Sequence, residues 1–72
     1  LIAGATGELV RAALRRLPPD DRLLLYLRDG ENERVERLAE MVGKPVGTVK
    51  SRLSRARKRL ARYLEEMGYE PD

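Results

Sequence analysis

The sequence has no cysteine, no histidine, no tryptophan and no phenylalanine. Without cysteine there is no disulfide, and without cysteine and histidine the commonest zinc ligands, nucleophile–base pairs and proton shuttles are missing. We therefore predict that the chain is not an enzyme and holds no metal ion or cofactor. The core of so short a chain must be aliphatic, with its three tyrosines at the edge.

Long apolar runs are also missing. The longest, Leu23-Leu24-Leu25-Tyr26-Leu27, ends at Arg28 and is far too short to cross a membrane. The sequence contains no recognisable signal peptide. We expect a soluble, cytoplasmic protein with no membrane partner and no small-molecule substrate.

Positive charge is concentrated in one segment. From Met41 to Leu64 the chain has eight basic residues and no acidic residue, although the whole chain has a net charge of only +3. The eight are Lys44, Lys50, Arg52, Arg55, Arg57, Lys58, Arg59 and Arg62. Because like charges repel one another, this segment predicts a polyanionic partner. A solvated helix face is the alternative interpretation.

The apolar pattern predicts four helices and no strand, in one domain from residue 8 to residue 67. Residues 1–7 are expected to form a linker or frayed tail, and residues 68–72 a C-terminal tail. The first helix has apolar residues at helical spacing up to Leu17, and Pro18-Pro19 ends it. Pro19 suits the start of a second helix, which is expected to run to about Arg28. Asp20 and Asp21 then favour the positive end of its dipole.

The third and fourth helices are joined by a glycine turn. Asn32 is predicted to cap the third helix. Its inward-facing residues are predicted to be Val35, Leu38, Ala39 and Val42. Gly43 supplies a left-handed stop, Pro45 prevents continuation, and a fourth helix is expected from Val46 to about Met67. A helix, a short turn and a long basic helix form the helix-turn-helix arrangement.

Projected at 100° per residue, the fourth helix has two different sides. The apolar side carries Val49, Leu53, Ala56, Leu60, Tyr63 and Leu64. The opposite side carries Lys50, Ser51, Ser54, Arg55, Lys58 and Arg62. Lysine and arginine suit guanine edges and phosphates, while serine admits close approach. We predict that this helix enters the DNA major groove, the alternative being a basic amphipathic helix on a membrane surface.

The segment PVGTVKSRLSRARKRL, from Pro45 to Leu60, resembles the closing motif of region 4 in bacterial sigma factors of the extracytoplasmic-function group. Leu17-Pro18-Pro19 and the segment LAEMVG, from Leu38 to Gly43, resemble the same domain in the same register. The resemblance covers about Leu9 to Leu64. It implies recognition of the promoter −35 element as part of the RNA polymerase holoenzyme.

The resemblance also implies roles for particular residues. It assigns the contacts with bases and the nearby backbone to Lys50, Ser51, Ser54 and Arg55. The residues that we expect to contact DNA phosphates are Lys44, Gly47, Thr48, Arg52, Arg57, Lys58 and Arg62. The family docks on the flap of the polymerase β subunit and can be masked by an anti-sigma factor. We expect that docking surface on the first two helices, around Leu14, Leu24 and Leu27.

Two departures from the family pattern affect the middle of the chain. Asp29 and Gly30 fall where the family continues its second helix, and Arg34 replaces the serine or threonine that caps the third. A shorter second helix is therefore expected, with a third helix that either starts at Asn32 or is loosely formed. Two other functions stay open: a helix-turn-helix of another regulator, such as a response regulator, and a sigma-mimicking module that binds an anti-sigma factor without binding DNA.

Overall fold

The computed structural model describes residues 6–69, and within this range the chain is helical with no strand. The elements are α1 (Gly7–Leu14), α2 (Pro19–Leu25), α3 (Val35–Val42) and α4 (Val46–Glu66). The all-α, four-helix prediction is confirmed. No helix in this part of the chain is both long enough and apolar enough to span a bilayer.

Helix α1 starts within the segment predicted to be a linker. Thr6 is its N-cap, and the Thr6 hydroxyl accepts a hydrogen bond of 3.2 Å from the backbone N–H of Leu9. Gly7 is therefore the first helical residue. The rest of the predicted linker, and residues 70–72 of the predicted tail, lie outside the described residues.

Helix α2 ends earlier than about Arg28, and the chain widens into a π-helical turn over Tyr26–Gly30. The N–H of Glu31 donates to the carbonyl of Tyr26 at 3.0 Å, which closes this wider turn. The short α2 and the π turn agree with the shorter second helix expected from Asp29 and Gly30.

The predicted start of the third helix at Asn32 is wrong. Asn32 has a φ of 58°, in the left-handed region that asparagine tolerates, whereas an N-cap residue has extended backbone. Asn32 therefore reverses the chain, and α3 begins three residues later at Val35. Its N-cap is Arg34, whose side chain makes no capping hydrogen bond.

The turn between α3 and α4 is built as predicted. Gly43 has a φ of 67°, a conformation that glycine adopts without steric cost. The N–H groups of Gly43 and Lys44 both donate to the carbonyl of Ala39, which satisfies the end of α3. Pro45 then precedes the first residue of α4.

One aliphatic core lies between the four helices. Its buried members are Ala13, Leu17, Leu24, Leu25, Leu38, Ala39, Val49, Leu53, Ala56, Leu60 and Leu64. All but one of the predicted apolar residues of α4 are among them, and Tyr63 is half-buried against them. The prediction for Val42 is wrong: its side chain is 37% exposed because it lines a groove between α2 and α3 that stays open.

Candidate nucleic-acid interface

The outward face of α4 carries the four residues predicted to contact bases. Lys50, Ser51, Ser54 and Arg55 are all exposed, and they lie on the first half of a 21-residue helix. Lys58 and Arg62 are exposed on the same side, farther along. Because the opposite side of α4 is buried, a duplex can approach this face without disturbing the core.

The first turn of α4 adds backbone donors. Pro45 is the N-cap and has no side chain that could accept a hydrogen bond, so the first N–H groups have no side-chain cap. Gly47 and Thr48 are exposed in this turn, and Lys44 is exposed just before it. Free N–H groups at the positive end of a helix dipole suit a phosphate.

Arg52, one of the predicted phosphate contacts, is held by helix α2. Its Nε donates to Oδ1 of Asp21 at 2.8 Å, and its Nη2 lies 3.7 Å from Oδ2 of Asp20. Arg59 also reaches Asp21, with 3.7 Å between Nη1 and Oδ2. Asp21 is only 8% exposed, so its charge depends on these two arginines for compensation. The cluster fixes α2 against the flank of α4.

Arg57 is held by the π-helical turn. Its Nε and Nη2 donate to the two carboxylate oxygens of Asp29 at 2.8 Å and 2.6 Å. This bidentate hydrogen bonding lowers the pKa of Asp29, since it stabilises the carboxylate, and raises the pKa of Arg57. Because aspartates of the chain bind Arg52 and Arg57, we expect their main role to be the positioning of α4, and a phosphate contact to be secondary.

Five of the eight basic residues between Met41 and Leu64 have no acidic partner among residues 6–69. They are Lys44, Lys50, Arg55, Lys58 and Arg62, and all are exposed. The arginines at 52, 57 and 59, which are paired, lie on the flanks of α4. The structure thus separates cations that stabilise the fold from cations that are available to a polyanion.

The sequence analysis did not predict these ion pairs. It treated Asp20 and Asp21 only as acidic residues at the start of a helix, and Asp29 only as a departure that shortens the second helix. Arg57 and Asp29 are 28 residues apart in the sequence, and Arg52 and Asp21 are 31 residues apart, so no local spacing predicts these pairs. One feature of the sequence could have predicted these pairs. Arg52, Arg57 and Arg59 lie at the border of the apolar stripe, where an arginine side chain can reach an acidic residue on a neighbouring element.

Comparison with known proteins identifies the domain. Residues 7–60 match the family model described as sigma-70, region 4. The chain belongs to the sigma-70 region 4 family. The resemblance stated from the sequence is therefore confirmed, and the match covers all of α1, α2 and α3 and most of α4.

Individual relatives of this region 4 domain are named as sigma factors. The chain is 44% identical over 59 residues to the ECF RNA polymerase sigma factor SigM of Mycobacterium tuberculosis, covering 82% of the chain and 30% of the relative. It is 43% identical over 63 residues to the ECF RNA polymerase sigma factor EcfG of Rhodopseudomonas palustris, and the match covers 88% of the chain and 35% of the relative. SigE of Mycolicibacterium smegmatis is 38% identical over 64 residues, covering 89% and 25%. The chain therefore spans between a quarter and about a third of the length of these relatives.

The apolar surface of this region 4 domain differs from the predicted docking surface. Leu24 is 3% exposed and belongs to the core, so it offers little surface to a docking partner although it borders a groove between α2 and α3. Its neighbour Leu23 is 53% exposed instead, because one residue turns a helix by about 100°. Leu14 and Leu27 are half-buried at the edge of the core.

Leu23 lies between two open grooves. One, of about 590 Å³, runs along α1 and α2 and is lined by Leu14, Pro19, Leu23 and Tyr26, with arginines at 11, 15 and 22 around it. The other, of about 320 Å³, lies between α2 and α3, and it contains Leu27, Met41 and Val42 in addition to Leu23. Exposed apolar side chains in a groove are suited to an apolar partner surface.

Proposed function

We propose that this domain binds the −35 element of bacterial promoter DNA, as the region 4 domain of an ECF RNA polymerase sigma factor. Its relatives are named ECF RNA polymerase sigma factors, which supports the sigma-factor part of the proposal. We propose that the domain acts in the cytoplasm. The observation that carries the proposal is the division of α4 into a buried apolar side and an exposed side. The exposed side carries serines and cations that have no acidic partner among residues 6–69.

The exposed side has the chemistry of major-groove recognition. Lys50 and Arg55 can donate to guanine O6 and N7, and Ser51 and Ser54 are small enough to let the helix approach the bases. Phosphate contacts are assigned to Lys44, Gly47, Thr48, Lys58 and Arg62. Arg52 and Arg57 are assigned to the orientation of α4, because acidic residues of this chain already bind them.

RNA polymerase core is the proposed protein partner. Its β flap would contact the apolar surface on α1 and α2, with Leu23 in place of Leu24 beside Leu14 and Leu27. An anti-sigma factor that masks the domain would compete for this surface or cover α4. A sigma mimic that never touches DNA has no need of Lys50, Ser51 and Arg55, so their presence on the exposed side of α4 is why we favour DNA binding.

Selection of duplexes from a random pool tests the proposal, with and without polymerase core. We expect one short motif to be enriched, and more strongly when core is present. The matched control is the variant with Lys50→Ala and Arg55→Ala, whose changed residues are exposed and leave the core intact. Enrichment of paired half-sites without any effect of core would favour another class of regulator. Absence of any motif would favour the sigma mimic.

A further inference from the structure

A third groove, of about 510 Å³, lies beside the start of α4 and borders the proposed base-contacting face at Lys50. Its lining residues are Arg28, Arg34, Val35, Glu36 and Lys50. Three cations thus surround a space that contains one carboxylate, that of Glu36. The groove joins the N-terminal end of α3 to a residue of α4 that is proposed to contact bases.

Arg28 is fixed within this groove, but Arg34 is not. The Nη1 of Arg28 donates to the backbone carbonyl of Glu33 at 3.0 Å, which anchors the segment before α3. The Arg34 side chain is exposed and has no hydrogen bond or ion pair within residues 6–69. Its backbone is bonded: the N–H donates to Oε1 of Glu33 at 3.2 Å, and the carbonyl accepts from the N–H of Leu38 at 3.1 Å. The Arg34 guanidinium is therefore free to bind a ligand.

Arg34 does not stabilise the helix that it precedes. As the N-cap of α3 it makes no side-chain capping bond, because a guanidinium has no acceptor atom. Its positive charge also lies at the positive end of the helix dipole, where a cation is unfavourable. Serine, threonine, asparagine or aspartate would stabilise this position. An arginine here is costly to the fold unless an anion is present.

We propose that Arg34 contacts a DNA phosphate next to the groove that α4 enters. In a helix-turn-helix the first helix crosses the DNA backbone while the second lies in the major groove. Because Arg34 and Lys50 line the same groove, a duplex that places Lys50 against a base edge brings the flanking backbone beside Arg34. This inference rests on the proposed function, since it takes α4 to be the helix in the major groove.

The variant Arg34→Thr tests the assignment, because it moves stability and binding in opposite directions. The threonine hydroxyl can cap α3, so we expect the melting temperature to rise by several degrees. Affinity for both matched and scrambled duplexes should fall about three- to tenfold, and the slope of log K against log[salt] should become shallower by about one. Arg34→Lys keeps the charge and should retain most of the affinity.

Arg11→Thr is the matched control, because it removes one positive charge from the groove on α1 and α2. It should change affinity by much less than Arg34→Thr. An Arg34→Thr variant that binds duplexes as tightly as the wild type, or no more weakly than Arg11→Thr, overturns the inference alone. A wild-type chain that binds no duplex overturns the proposed function together with it.

Discussion

Arg57 and Asp29 are 28 residues apart in the sequence, yet the guanidinium of Arg57 binds both carboxylate oxygens of Asp29. The contact joins the π-helical turn that follows α2 to the middle of α4. Arg57 keeps 47% of its side chain exposed, so the pair lies at the border between the core and the proposed DNA-binding face.

Asp29→Asn should therefore destabilise the fold, and the loss should depend on pH. We expect about 0.5–1.5 kcal/mol near neutral pH, a modest value because solvent screens the half-exposed pair. Asp29 has a folded-state pKa below its ordinary 3.8, so its contribution is fully present above that value. It is lost as the pH falls below 3.8 through the lower folded-state pKa.

Urea denaturation of the wild type and Asp29→Asn, from about pH 7 down to about pH 3, measures this difference. The gap between the two should be constant at higher pH and shrink below about pH 4. Glu40→Gln is the control, since its pair with Arg37 is exposed and 3.5 Å long. A gap that stays constant down to pH 3 would mean that the carboxylate charge of Asp29 does not stabilise the fold.

Leu53→Ala should cost about 2–5 kcal/mol of unfolding free energy, because Leu53 is buried where α4 meets the core. Denaturant titration followed by circular dichroism at 222 nm, a helix signal, gives the value. Ser54→Ala, one residue further on and exposed, should change stability by less than about 0.5 kcal/mol. Equal losses in the two variants would contradict the assigned faces of α4.

DNA binding should depend steeply on salt. If Lys44, Lys58 and Arg62, together with Arg34, each neutralise one phosphate, log K should fall against log[salt] with a slope of about −3 to −4. Fluorescence anisotropy at several salt concentrations measures it. A slope near −5 or steeper would show that further cations, such as Arg52 or Arg57 released from their aspartates, also neutralise phosphates. A flat response would favour the sigma mimic.

Arg55→Ala and Arg62→Ala should affect binding in different ways. Arg55 lies nearer the start of α4, where a helix entering the groove reaches bases, so its loss should cost about 1–3 kcal/mol and relax preference at one or two base pairs. Arg62 lies about two turns further on, where the helix follows the DNA backbone. Its loss should weaken binding to all duplexes about equally and make the salt slope shallower by at most about one.

Matched and single-mismatch duplexes at two salt concentrations distinguish the two roles. Arg57→Ala provides a third comparison, since we expect it to lower stability rather than sequence preference. Uniform loss of affinity from Arg55→Ala, together with altered preference from Arg62→Ala, would reverse the assigned direction of α4 in the groove.

Leu23→Ser should weaken capture of polymerase core by about tenfold or more, because Leu23 lines both apolar grooves. Duplex affinity and melting temperature should change little, since this side chain is 53% exposed. Pull-down with purified core, beside duplex binding by the same sample, separates the two effects. Unchanged capture of core would move the docking site away from α1 and α2.

The periodicity of α4 was sufficient to predict its length, its buried side and its exposed side. Gly43 and Pro45 also predicted the turn correctly, because left-handed backbone and a missing N–H leave few alternatives. Asn32 misled the prediction, since asparagine suits both an N-cap and a left-handed turn. In Leu23-Leu24-Leu25 every residue is apolar, so the sequence could not show which leucine stays at the surface. That choice depends on how α2 packs against the core.

Ion pairs hold α4 near its start at Arg52, in its middle at Arg57 and near its end, where Glu66 binds Arg16 at 2.7 Å. A helix of about 30 Å is thus fastened along its length to three other parts of the chain. The α4 helix therefore loses its conformational freedom when the chain folds, and it has little conformational entropy left to lose when it binds DNA. Because α4 is rigid, the duplex must deform to fit it. The bendability of the DNA should therefore influence affinity even at base pairs that no side chain touches.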